Sequence, residues 1–159
     1  MNLCAHDLSL FTLADALDLT PALCCCNCSH EQVIVDGKTK KPHPDQTPRD
    51  GAYMIMEVYI PPSSDPSRRA SSHPLEQITA VDHDNYRIAW RNCMPSWLVN
   101  AERWQALSVT EDGKTLYETR EVMKGIGAYF IKWFLSRDLQ LGFQAVADGL
   151  KKRAEQLQR

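Results

Sequence analysis

Nowhere in its 159 residues does the chain hold the eighteen or so consecutive apolar positions that a membrane-crossing helix needs. It lacks an excess of either charge: 18 basic against 20 acidic residues leave a net charge of −2. Without a basic footprint, nucleic acid is not an expected partner. No basic segment precedes the leucine-rich start, which Asp7, Asp15 and Asp18 interrupt, so a secretory leader is not expected and the reading is a cytoplasmic protein with reduced thiols. Neither G-x-G-x-x-G nor a Walker A pattern occurs, and Gly125-x-Gly127 stands alone, which argues against a phosphate-cradling loop and a bound cofactor. The G-x-S-x-G turn of an exposed nucleophilic serine is missing as well. There is no fixed-period repeat and no long low-complexity tract. What remains is an ordinary globular composition, 43% apolar and 24% charged, in a chain long enough to bury roughly 70% of its unfolded surface around one core.

Six cysteines do not make a disulfide framework, because Cys24, Cys25 and Cys26 are consecutive and Cys28 follows closely. Cys24, Cys26, Cys28 and His30 are the candidate zinc ligands. A tetrahedral site usually takes two separated pairs, and only the remote Cys4 and His6 offer a second one. Ordinary thiols are the expected reading, with no metal.

Residues 1–30 combine this cluster with a short helix-like pattern, Leu10, Leu13 and Leu17, and show no clear strand. From residue 31 the chain reads as strands and turns. Strands are expected at 31–35, 53–60, 75–81, 86–90, 97–109 and 115–123, where β-branched and aromatic residues gather between turn formers. Proline-bearing loops occupy 38–50 and 61–72. His43, His73 and His83 fall in turns or beside prolines and are expected to be solvated. After Gly125 the period changes: Ile126, Phe130 and Trp133, then Leu139, Phe143, Val146, Leu150, Ala154 and Leu157, form one stripe of a long helix. The expected division is a cysteine-rich segment, 1–30, and a ligand-binding domain, 31–159.

Asp112-Gly113 suits a two-residue hairpin turn. Counting outward from it sets Ser108 opposite Tyr117, Ala106 opposite Thr119, Trp104 opposite Glu121 and Glu102 opposite Met123. That face mixes apolar groups with two acids, Glu102 and Glu121. Unpaired charge is costly to bury, so the mixture suggests a cavity with a few polar groups, although acids at a rim or beside basic neighbours would give the same pattern. A slip of one residue would exchange the two faces.

The series 86–90 (Tyr-Arg-Ile-Ala-Trp), Ala101-Glu102-Arg103, Gln105-Ala106-Leu107, Gly113-Lys114-Thr115, 117–121 (Tyr-Glu-Thr-Arg-Glu), Gly125, Gly142-Phe143 and 150–155 resembles the START-like superfamily, also called SRPBCC or helix-grip proteins. The resemblance covers residues 75–157 well and 31–74 loosely. It implies an α+β fold, a curved antiparallel sheet wrapped around a long C-terminal helix with a hydrophobic cavity between them. Such proteins bind lipids, sterols, polyketides or hormones, and some branches are polyketide cyclases or dehydratases. The family opens with a strand and two short helices, a pattern not evident in residues 1–30.

Three functions stay open. The first is binding of a small polyketide-, terpenoid- or lipid-like molecule, lined by Trp90, Trp104, Ala106, Thr119, Met123, Phe130, Trp133 and Phe134, in secondary metabolism. The second is a ring-forming or dehydrating enzyme using Glu121 and Glu102 as acid and base with Tyr117 as hydrogen-bond donor. The third is homodimerisation through an unpaired edge in the first thirty residues.

Overall fold

The computed structural model describes residues 4–8, 32–59, 67, 69–113, 115–134 and 136–157. The cysteine cluster, His30, the Leu10–Leu17 pattern and most of the second proline loop lie outside these residues. Among the described residues seven strands, β1 (Cys4–Leu8), β2 (Gln32–Val35), β3 (Tyr53–Met56), β4 (Leu75–Asp82), β5 (Arg87–Asn92), β6 (Asn100–Val109) and β7 (Thr115–Lys124), precede two helices, α1 (Ile126–Phe134) and α2 (Ser136–Leu157). One antiparallel sheet runs β1-β7-β6-β5-β4-β3-β2. It is curved and does not close on itself. Helix α1 meets β7, and α2 meets α1 and β1. No helix among the described residues is long and apolar enough to cross a membrane.

Two expectations about the chain's ends are corrected here. The first thirty residues do supply a strand: β1 pairs with β7 from Cys4 opposite Thr119 to Leu8 opposite Thr115. The C-terminal stripe is divided between α1 and α2.

The core lies where β2 to β5 turn their apolar side chains to one face. Ile34, Met54, Met56, Ile78, Ile88 and Trp90 form one buried cluster, and each such side chain contributes about 1.5–3 kcal/mol on burial. Alternation selects this face as far as Ile78. There a bulge in β4, between Ile78 opposite Trp90 and Ala80 opposite Ala89, resets the parity, so Val81 also packs against the cluster.

The edge strand β2 is sheltered by the loop that follows it. The Gln46 side chain accepts from Ile34 N at 2.8 Å and donates back to Ile34 O at 3.1 Å. A short side chain thereby stands in for a neighbouring strand. The prolines of this loop have no amide to donate.

The strand-to-helix joint depends on glycine. Gly125 has φ +99°, and a Cβ there would lie 2.7 Å from the Leu98 carbonyl oxygen. The next amides complete the joint: Ile126 N donates to Trp97 O and Gly127 N to Leu98 O, at 3.2 and 2.7 Å. The chain can leave β7 at this angle only where no side chain intervenes.

Candidate functional site

The β6–β7 hairpin decides which side chains face the helices, and its register differs from the expected one by a residue. Val109 pairs with Thr115, so residues 110–114 form the connection in place of a two-residue turn. Gly113, at φ +78°, donates its N–H to Thr110 O. Along the ladder Leu107 meets Tyr117, Gln105 meets Thr119, Arg103 meets Glu121 and Ala101 meets Met123. The β7 residues keep the face assigned to them, and the β6 residues exchange faces.

Trp104, Ala106 and Glu102 therefore lie on the outer face, opposite Arg120, Glu118 and Val122. Trp104 is 43% exposed. This corrects the expectation that Trp104 and Ala106 face the cavity and that Glu102 joins Glu121. The inner face holds Gln105, Leu107, Tyr117 and Thr119, all buried. Trp90 lies in the same row as Arg103 and Glu121, because Trp90 pairs with Arg103 across β5–β6.

Arg103 organises this face. Its guanidinium carbon sits 5.8 Å from the centre of the Trp90 ring, within cation–π range. Its Nε donates a long hydrogen bond to Thr119 Oγ1 at 3.4 Å. Two carboxyl groups share its charge. Burial raises the Glu121 carboxyl above the usual glutamate range, and the positive charge of Arg103 opposes that rise. Burial also raises Glu76, to about 7, with the negative charge of Glu121 adding to the rise and Arg103 opposing it. Glu76 Oε2 has no hydrogen-bond partner among the described residues.

Sequence reasoning passed over Glu76 and set Arg103 on the water-facing side, which the one-residue change of register corrects. The signal for Glu76 was its position two residues before the apolar Ile78, on the same face of β4. The bulge lies beyond that pair, at Ile78/Ala80, so ordinary alternation applies. Two carboxylates flanking one cation can bind one proton near neutrality and pass it to a polar group nearby.

Beyond Glu121 on the same face of β7, Met123 begins a groove of about 640 Å³. Its walls are Ala128, Tyr129, Ile131 and Lys132 of α1, and Ser136 and Gln140 of α2. The expected apolar linings Phe130, Trp133 and Phe134 are not in it. They are exposed by 64%, 81% and 74%, which corrects their assignment to the core or to the pocket walls. Among the described residues no three His, Cys, Asp or Glu side chains converge as a metal site. His73 stands 3.7 Å from Glu57 with its side chain 58% exposed, and His83 is exposed.

No family model matches the chain, and no curated protein does. Solved structures do match. A hypothetical protein from Helicobacter pylori superposes with a TM-score of 0.68 at 12% identity, over 96% of this chain and 88% of that one. The di-domain ARO/CYC protein StfQ of the steffimycin biosynthetic pathway gives 0.55 at 10% identity, over 97% of this chain and 52% of its own. Norcoclaurine synthase from Thalictrum flavum gives 0.54 at 12% identity, covering 95% and 84%, and is also known in complex with dopamine and hydroxybenzaldehyde. Identities this low establish a shared fold and nothing finer.

Proposed function

From a chain with the helix-grip fold of the START-like, or SRPBCC, proteins, we propose that this protein binds a small hydrophobic molecule between its sheet and its C-terminal helices. The observation that carries this reading is a groove of about 640 Å³ that opens at Met123, two residues from Glu121 on the same face of β7. Its volume is within the range of small-molecule sites, and apolar walls with a few polar groups are their usual lining. Met123, Ala128, Tyr129 and Ile131 offer the apolar contact. Lys132, Ser136 and Gln140 of the same lining offer partners to a hydroxyl or carbonyl group. A polyketide-, terpenoid- or lipid-like skeleton with one or two oxygen functions suits that division.

Native mass spectrometry of the purified protein is expected to find a co-purified molecule of this class, or else displaceable binding of an apolar fluorescent probe. Met123→Trp, which fills the groove, should remove either signal. Probe binding unchanged by Met123→Trp overturns the reading.

A second reading, a ring-forming or dehydrating enzyme, draws support from Glu76, whose carboxyl exchanges its proton near pH 7, where general acid–base catalysis works best. Dopamine with hydroxybenzaldehyde, the pair bound by norcoclaurine synthase, is a suitable trial substrate. Glu76→Gln and Glu121→Gln should then retain binding and lose turnover, whereas a pure carrier shows no turnover to lose.

A further inference from the structure

Helix α1 exposes what a protein surface ordinarily covers. Tyr129, Phe130, Trp133 and Phe134 are between 64% and 81% exposed, and Ile126 is 61% exposed. Trp97, 67% exposed, joins them, because its carbonyl accepts the Ile126 amide at 3.2 Å. Scattered apolar residues on a surface need no explanation, but six on two hydrogen-bonded segments do.

The exposed charge along this segment has one sign, although the partly exposed Glu121 and Asp138 border it. Residues 122–137 contain Lys124, Lys132 and Arg137 and neither Asp nor Glu, and all three cations are exposed. The overall charge of −2 conceals this local excess. A second copy of the chain packed symmetrically on α1 would bring these cations toward their own equivalents. An anionic surface would neutralise them. At nine residues, α1 is about 14 Å long, far too short to span a bilayer and well suited to lie along one. Tryptophan, tyrosine and phenylalanine favour headgroup depth, and lysine stems reach from there to the phosphates.

We propose that α1 docks on an anionic lipid bilayer, with its aromatic side chains in the interfacial layer and Lys124, Lys132 and Arg137 at the phosphates. The proposal goes beyond ligand binding and is tested apart from it through Phe130, Trp133 and Phe134, which lie outside the groove lining, whereas Lys124, Tyr129 and Lys132 belong to both. Docking in this orientation would also set the groove, which Tyr129 and Lys132 help to line, against the bilayer surface.

The test is co-sedimentation of the full chain with phosphatidylcholine vesicles, with and without about a third of phosphatidylglycerol. Binding is expected only to the anionic vesicles, and to weaken as salt rises. The double variant Trp133→Ser/Phe134→Ser should lose about tenfold or more in affinity. Lys124→Gln and Lys132→Gln, at exposed positions that the fold does not need, should each lose about fivefold and flatten the salt dependence. Absence of binding to anionic vesicles overturns the proposal, as does binding that the aromatic double variant leaves intact. Self-association that the double variant abolishes, without vesicle binding, overturns it in favour of a dimer.

Discussion

Glu76, Arg103, Gln105, Thr119 and Glu121 line the inner face of β4, β6 and β7, whereas Ile126, Tyr129, Phe130, Trp133 and Phe134 of α1 face outward, between 61% and 81% exposed. Each region inverts the ordinary placement of its residue types, and the inversions differ in what they cost. Charge inside the sheet costs desolvation that only Arg103, the Trp90 ring and local hydrogen bonds offset. Aromatic surface outside costs little folding energy, because it makes few contacts that unfolding could break. The inner cluster is therefore held at the expense of stability, whereas α1, which buries no residue fully, meets the rest of the fold at its glycine joint, at β7 and at α2.

The sharpest way to break the first half of this contrast is to remove the cation. Arg103→Met should destabilise the fold by about 3–5 kcal/mol at about pH 8, the cost of stranding buried carboxylates. The loss should shrink near pH 5, below the value of about 7 to which Glu76 is raised, with Glu121 raised in the same direction. Urea unfolding at the two pH values reads the difference directly, and equal losses at both would mean that Arg103 matters through packing alone.

Glu76→Gln should have the next largest effect, in the opposite direction. The Glu76 carboxyl titrates at 4.5 in an ordinary environment and at about 7 in the fold. Below 4.5 both states are protonated and the group adds no pH dependence. Between the two values the unfolded chain releases a proton that the folded chain keeps, so stability falls as pH rises. The full loss is about 3 kcal/mol by pH 8. Glu121, raised in the same direction, adds to this slope. Glu76→Gln should flatten the fall and be the more stable protein at about pH 8. A variant that unfolds with the wild-type pH slope would place the proton elsewhere.

How much of this could be read from residues alone follows from what periodicity encodes. The positions of β2 to β7 were legible because β-branched runs alternate between turn formers, whereas β1 was not, and the inward face of β7 followed from Tyr117, Thr119 and Met123. The face of β6 was not legible. Asp112-Gly113 serves a two-residue turn and a five-residue connection equally well, and one residue of slip moves Trp104 outward and Arg103 inward. The bulge at Ile78/Ala80 leaves no mark in the sequence that alternation would detect. The α1 stripe was legible as a stripe, but amphipathic spacing reports that a helix has an apolar side and not what lies against it. The change of period after Gly125 was legible, and the close approach of two backbones there is why glycine stands at the joint.

That joint supplies the third test. Gly125→Ala must hold a side chain at φ +99° with its Cβ 2.7 Å from a carbonyl oxygen, at a cost of roughly 2 kcal/mol. If the joint alone orients α1, the same substitution should alter probe binding in the groove that α1 walls, by more than the stability loss explains. A stability loss with binding unchanged would show that α1 is held by other contacts.

The smallest expected effect tests the second half of the contrast most severely. Trp133→Ser/Phe134→Ser deletes two of the largest apolar side chains in the molecule, a change that costs about 3–5 kcal/mol for each such group in a packed core. Here both side chains are more than 70% exposed, and no buried residue of α1 depends on them. Stability by urea unfolding should therefore change by no more than about 0.5 kcal/mol, with solubility unchanged or improved. A loss of several kcal/mol would mean that α1 folds back onto the body of the protein in solution, and its aromatics would then be core after all. A neutral result, beside a large loss for Arg103→Met, would establish that the charged cluster belongs to the fold and that the aromatic helix is kept for something outside it.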